Sequence, residues 1–377
     1  ETVPKEFKNS YDESKYQNSQ HYARTNEKFD IVSGTFDFLF IMCVILFGLF
    51  NVLDVFVRSI GFQSETINGL LFFGIFMIFQ DIISTPFSLY RHFVIEERFG
   101  FNKMTIKTFV IDKIKGLFLM ILIGIPLLGI ILYFFESFGD IAWFYAWAIV
   151  SAFILVLQPL FTTFIATLFN TFTPLEEGEL KDSINSYSKK VQFPISRIDI
   201  MDGSKRSSHG NAYFTGIGRN KRIVFFDTLL KGMEDQEIEA ILAHELGHFH
   251  HKHVRQRIVS SFVFSLLSLA LLGYLIQQAW FFHGLGISNP SAHTALVLFS
   301  LSLPVFSFFI TPISNLISRK HEFQADAFAA SHTDANDLIS SLTKLYRENS
   351  STLSPDKYYS AFHDSHPSAI LRIARLQ

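Results

Sequence analysis

The sequence predicts a mainly α-helical, polytopic membrane fold carrying a water-exposed domain that is split in two along the chain and holds a small β-sheet. Three observations predict it. Of 377 residues, 49% are hydrophobic and only 18% charged, 44 are Phe, and mean hydropathy is +0.27. Six stretches are long and apolar enough to cross a bilayer, which takes about 20 residues each. They run over 31–56, 67–89, 116–135, 141–169, 258–282 and 295–317, and none contains Lys or Arg. Two long polar stretches, 170–257 and 318–377, remain for the domain outside the membrane. A soluble protein hiding six such helices would require far more polar chain to cover them.

The elements follow in order. Residues 1–30 form an amphipathic N-terminal segment, 31–169 four spans, 170–257 the first half of the polar domain, 258–317 two spans, and 318–377 the second half. If the spans alternate, one membrane side receives 1–30, 90–115, 170–257 and 318–377. Of the 32 Lys and Arg, all but Arg58 fall on that side, which marks it as cytoplasmic. Within 193–230, residues 195–201 and 222–226 are strand-like, with turn chemistry at Asp202-Gly203-Ser204 and over 216–220. Asn211, Ala212, Tyr213 and Phe214 between them read as an edge strand, to which an extended peptide can add as a further strand. A purely structural hairpin fits that spacing equally well. Residues 235–282 contain no Pro, so the helix over 237–248 is expected to run straight into the fifth span. Cys43, the single cysteine, sits in an apolar span, which excludes an intrachain disulfide and disfavours thiol chemistry. A net charge of −2 argues against a nucleic-acid partner.

The stretch His244-Glu245-Leu246-Gly247-His248 carries the chemistry. Residues four apart share a helix face, so His244 and His248 present two imidazoles to one metal, and Glu245 beside them reaches a water held there. A zinc peptidase needs three protein ligands, an open position with water, and a carboxylate to take the water's proton. Two incidental histidines on a surface helix is the bland alternative, weakened by the amphipathic run 237–243 and by Gly247, which costs about 1 kcal/mol in a helix unless something packs closely against it. A small residue there fits something packed closely against it, such as a metal or a substrate backbone. For the third ligand, the metzincin pattern demands Gly at 251 and His at 254, where this chain has His251 and Val254. His251 lies roughly 10 Å along the axis from His244, too far to close the site. Glu322 is the better ligand, on a second helix, with Asp326 four residues on to accept a hydrogen bond from a ligand histidine and fix its tautomer. Two solvated helix charges is the competing reading. His250, His251 and His253 read as a polar helix end near the membrane. Glu322 follows the last span by five residues, about 7.5 Å, so the site belongs close to the membrane face.

With these motifs in place, the chain resembles the CAAX prenyl protease 1 family of integral-membrane zinc endopeptidases over nearly its whole length. The similarity includes residues 16–22, the loop 93–102 reading Phe-Val-Ile-Glu-Glu-Arg-Phe-Gly-Phe-Asn, the run 172–180, Met201 to Ser207, Asn211 to Phe214, the two metal motifs, and His366-Pro367-Ser368. The resemblance implies one zinc ion on His244, His248 and Glu322, Glu245 as general base, and Asn211, Ala212 and Tyr213 as contacts to the substrate backbone. It also implies that His366 stabilises the oxyanion and that Arg372 orders acidic side chains. It implies a helical barrel of seven spans around a water-filled chamber, with a zincin-like metalloprotease domain at the cytoplasmic end. Six spans are found, so the first is expected to precede residue 1. The short loop joining the last two spans, and a C-terminus without a dilysine-type tail, suggest a bacterial member in the inner membrane; a eukaryotic one belongs in the endoplasmic reticulum.

The implied substrate is a peptide or protein, prenylated or membrane-associated, taken from the bilayer. The alternative enzyme is an HtpX-like quality-control protease, whose chains have fewer spans. A site-2-type protease would bury the motif in an apolar span, which the polar run 249–253 opposes. A structural zinc in a non-enzyme would be fully ligated, leaving Glu245 without a purpose.

Overall fold

The computed structural model describes residues 2–8, 11–193, 195–215, 221–284 and 286–377; the turn expected over 216–220 lies outside them. Helix α1 (Glu13–Leu46) enters the membrane, and Gly48 in the left-handed conformation separates it from α2 (Leu49–Ser59). The first span was expected over 31–56; the structure breaks it at Phe47–Gly48, where φ of +60° suits a residue without Cβ. Helix α3 (Glu65–Tyr90) continues as a π turn over Arg91–Glu96. Helices α4 (Ile106–Leu119) and α5 (Ile125–Ser137) form one rod, as do α6 (Ala142–Leu160) and α7 (Ala166–Phe169). Among the described residues six helices are long and apolar enough to cross a membrane. Their outward faces are apolar and bare: Phe309 is 69% exposed and Phe164 63%. In water such a surface would demand covering; in lipid it is satisfied.

The polar domain begins with β1 (Phe172–Pro174) and α8 (Glu179–Lys190), followed by β2 (Ile195–Met201), β3 (Ala212–Thr215) and β4 (Lys221–Phe226). The sheet order is β1-β2-β4-β3, with β2 parallel to β4 and the other pairs antiparallel. Strand β3 is therefore an edge, with Ala212 opposite Phe225 and Thr215 opposite Arg222. The short α9 (Asp227–Leu230) leads to α10 (Asp235–His250), whose start is a capping box in which Glu234 and Glu237 each accept from the other's backbone. Ile238, Leu242 and Leu246 of α10 pack with Ile223 and Phe225 of β4 and with Leu338 and Leu342 into one apolar core. That four-residue repeat is the buried face that makes α10 helical.

Beyond α10 the chain does not run straight into the membrane. Lys252 takes a left-handed conformation (φ +59°, ψ +32°) and α11 (His253–Leu275) starts afresh. Without a proline, the sequence left this break unannounced. The fifth span ends at Leu275, and Phe281–Phe282 belong to the short α12 (Ala279–His283) rather than to a span reaching 282. By contrast α13 (Ala292–His332) is one continuous rod of 41 residues that carries its membrane part directly into the polar domain. Helices α14 (Ala335–Glu348), α15 (Lys357–His363) and α16 (Ala369–Leu376) complete the chain. The first residues are not a separate arm: Val3, Phe7, Tyr11 and Tyr16 are buried against Leu353, Ala369 and Ile373.

Gly247 sits where α10 meets α13, and the close neighbour that its small size implies is the backbone of α13. A Cβ there would lie 2.8 Å from Ala325 Cα and 3.0 Å from Ala325 O, both backbone atoms that cannot swing aside. Gly247→Ala is therefore expected to destabilise by about 1–3 kcal/mol, although Ala is the better helix former. Thermal unfolding and metal content of the purified variant check this; full stability would mean that the two rods do not touch there.

Candidate metal centre

Helix α10 brings His244 and His248 to one face, and α13 delivers Glu322 opposite them. His244 Nε2 lies 3.3 Å from His248 Nε2 and 3.6 Å from Glu322 Oε2, and His248 Nε2 lies 3.3 Å from Glu322 Oε1. All three residues are buried. Ligand atoms about 2 Å from a tetrahedral ion stand roughly 3.3 Å from one another, so this donor set has the separations a small cation requires. Two neutral nitrogens and one carboxylate also suit a borderline ion of the zinc type.

The remaining imidazole nitrogens are held from behind. His244 Nδ1 is 2.8 Å from Asp326 Oδ1. His248 Nδ1 is 3.0 Å from His253 Nδ1, and His253 Nε2 is 3.0 Å from Gln324 Oε1. For His248 Nε2 to offer a lone pair to a metal, its Nδ1 must carry the proton and donate to His253 Nδ1, which leaves the His253 Nε2–H to donate to Gln324 Oε1. The expectation that His253 belongs to a polar helix end is corrected: His250 is exposed and His251 half-buried, but the break at Lys252 folds His253 back beneath His248. Its ring stacks on His321 with centroids 3.9 Å apart. No helical spacing would have singled His253 out, because the break resets the phase.

Arg372 of α16 is buried and grips Asp326 with two nitrogens (Nε–Oδ2 2.8 Å and Nη2–Oδ1 2.6 Å), and its Nη1 is 3.7 Å from Glu322 Oε2. Burial works against the Arg372 cation, but Asp326 and Glu322 hold its pKa above the ordinary value. Burial also works against protonating His244, yet the hydrogen bonds to Asp326 and Glu322 prevail and carry it up to about 9. The pocket seeks positive charge. His366 is exposed at the rim with Nδ1 3.0 Å from Glu322 Oε2. Two residues absent from the sequence reading place that rim. Arg319 donates to the carbonyls of Ser360, Ala361 and Asp364, and Asn315 donates to that of Phe362.

Glu245 makes no hydrogen bond or ion pair with a described residue and opens onto a cavity of about 2010 Å³. Asn211, Ala212 and Tyr213 line the same cavity, whose wall continues past Gln158 and Ser261 of the spans to Glu27 of α1. That volume exceeds the roughly 300–1,000 Å³ of small-molecule pockets, so the space suits a length of polypeptide.

Two family models match this chain. "CAAX prenyl protease N-terminal, five membrane helices" covers residues 1–171, and "Peptidase family M48" covers residues 174–377. The chain is 34% identical over 379 residues to the CAAX prenyl protease 1 homolog of Arabidopsis thaliana, spanning 99% of this chain and 89% of that protein. It is 34% identical over 405 residues to CAAX prenyl protease 1 of Saccharomyces cerevisiae, spanning 99% and 88%. A solved structure, "Crystal Structure of S. mikatae Ste24p", superposes with a TM-score of 0.94 at 34% identity, covering 100% of this chain and 92% of that one. These relatives are eukaryotic, and none of the likenesses supports the bacterial source expected from the last loop and the tail.

Two expectations follow from the geometry. His253→Ala removes the acceptor behind His248 and is expected to weaken metal affinity about 10–100-fold, as measured by competition with a chelator. In the metal-free protein, protonated His244 contributes stability that is complete below about pH 6.5 and lost as pH rises through about 9. Thermal unfolding of metal-free protein should therefore show falling stability across that window, and the metal-loaded form should not; a flat metal-free profile would contradict the charge-seeking pocket.

Proposed function

The chain belongs to the CAAX prenyl protease 1 family, and from that membership we propose that it is a membrane zinc endopeptidase whose single zinc ion is held by His244, His248 and Glu322. The protein is a multi-pass membrane metallopeptidase of the CAAX prenyl protease type. The observation that carries the residue assignment is the convergence of three buried ligand atoms beside an unpaired Glu245, at the end of a cavity that reaches between the spans. Bound there, zinc polarises the scissile carbonyl and lowers the pKa of water to about 7.

The chain's own residues do the rest. A substrate peptide lies extended along the free edge of β3, its backbone bonding to Ala212 and Tyr213 with the Asn211 side chain beside it. Glu245 Oε takes a proton from the attacking water and returns it to the leaving amine nitrogen, so one water is consumed and one acid and one amine form. His366, whose Nδ1 lies against Glu322 at the rim, would be the side chain nearest the charge developing on the carbonyl oxygen. Arg372 and Asp326 touch no substrate; they fix the rotamer and tautomer of His244. The polar domain, 170–257 together with 318–377, faces the cytoplasm, as the distribution of Lys and Arg supports. The substrate is a prenylated peptide whose lipid stays in or near the bilayer while its backbone reaches the zinc.

Glu245→Gln should keep zinc bound and lower cleavage of a farnesylated Caax peptide by at least about a thousandfold. That is the scale of losing a general base together with its charge. Metal analysis alongside a cleavage assay reads both, with the unprenylated peptide and a chelator as controls. Undiminished turnover would remove Glu245 from the role of base.

A further inference from the structure

Helix α1 shows two faces near the membrane surface. Gln20, Arg24, Glu27 and Asp30 line the large cavity, whereas His21, Thr25, Lys28, Phe29 and Val32, about a third of a turn round the helix, line a separate groove of about 610 Å³ against α3 and its π turn. The far wall of that groove is Pro86, Phe87, Tyr90, Ile95 and Arg98. Its two ends differ in chemistry. Toward the membrane it is apolar and aromatic, with Phe29 stacked on Tyr90 at 5.5 Å. Toward the polar domain it carries two exposed cations at different levels: Lys28 next to Phe29, and Arg98 next to Phe99, whose ring meets those of His21 and Tyr22. Neither cation has a hydrogen bond, an ion pair or a ring contact among the described residues. Arg91 nearby is different: it is paired with Asp30 and lies over Phe29 with Cζ 5.0 Å from the ring centroid.

We propose that this groove binds an anionic phospholipid, its phosphate between Lys28 and Arg98 and an acyl chain along Phe29, Val32, Pro86 and Phe87. The two-ended chemistry selects an amphiphile over a soluble anion, and the two unpaired cations select a negative headgroup over a neutral one. Basic pockets between spans at the positively charged membrane face take such headgroups, each cation contributing about a factor of five in affinity.

The test uses the full, zinc-loaded chain in detergent, titrated with fluorescent phosphatidylglycerol or fluorescent phosphatidylcholine. Wild-type protein should bind phosphatidylglycerol at least tenfold more tightly, and the double variant Lys28→Gln/Arg98→Gln should lose about thirtyfold of that affinity. Zinc content and peptide cleavage in the variant should be retained, which shows that it has folded. If the double variant does not fold, Arg98→Gln alone should lose about fivefold. Lys15→Gln/Lys357→Gln, which removes two charges from the same side outside the groove, should bind as wild type. Equal affinity of wild type and groove variant would overturn the proposal, as would an equal loss in the control variant. Competition by inorganic phosphate at lipid concentrations would replace the lipid with a free anion and overturn it too.

Discussion

The site depends on one contact: α10 and α13 touch backbone to backbone at Gly247 and Ala325, with no room for a methyl group between them. His248 follows Gly247 by one residue, and Glu322 precedes Ala325 by three. Residues three apart lie on nearly one helix face, so this closeness sets how far the carboxylate stands from the imidazole pair. A side chain at 247 would push the rods apart, and ligand atoms now about 3.3 Å from one another would part with them. The contact is defended from outside: Glu237 at the start of α10 accepts from Ser340 and Lys344 of α14, and the apolar core under α10 joins it to β4. A metal site needs positional accuracy of a fraction of an ångström, which a sheet, a capped helix and a close helix crossing provide together.

Orientation is settled by a second layer that the ligands do not share. His244 leans on a carboxylate, Asp326, which is itself neutralised by Arg372; His248 leans on a neutral relay through His253 to Gln324. Both arrangements expose Nε2, but they differ in charge, and the charged one raises the basicity of its imidazole. Hence the pocket attracts a proton at His244 when no larger cation is present. The same electrostatics favour a dication and disfavour a neutral occupant.

Much of this was legible in the sequence because its determinants are local. The two histidines at i and i+4, Glu322 with Asp326 at i+4, and the apolar runs each depend on one helix and its period. An edge strand at 211–214 is one of two readings the spacing allows, and the sheet order puts β3 at the edge from Ala212 on. What stayed hidden depends on contacts between distant segments or on backbone that carries no marker. The left-handed break at Lys252 occurs at a residue with no special liking for that conformation, so nothing announced that His253 returns beneath His248. The packing of Val3, Phe7 and Tyr16 on Ala369 and Ile373 joins opposite ends of the chain. Gly247 was noticed as unusual, but the neighbour that makes it necessary lies 78 positions further on, on another helix.

The division of the polar domain by two spans has a mechanical consequence. Helix α13 is at once a membrane crossing, the carrier of Glu322 and Asp326, and, through Arg319 and Asn315, the anchor for the end of α15 from which His366 is hung. Three parts of the site thus ride on one rod whose other half is set in lipid. Pro304 and Pro312 interrupt the ladder in the membrane half of that rod, whereas Asn315, Arg319, Glu322 and Asp326 follow on a stretch without proline that holds their mutual geometry. The histidine pair sits on α10, which is separated from its own span by the Lys252 break and is held by the sheet instead. The Gly247–Ala325 contact therefore joins a rod set in the membrane to a helix held by the sheet, and the stand-off of the carboxylate from the imidazole pair rests on how closely those two backbones approach.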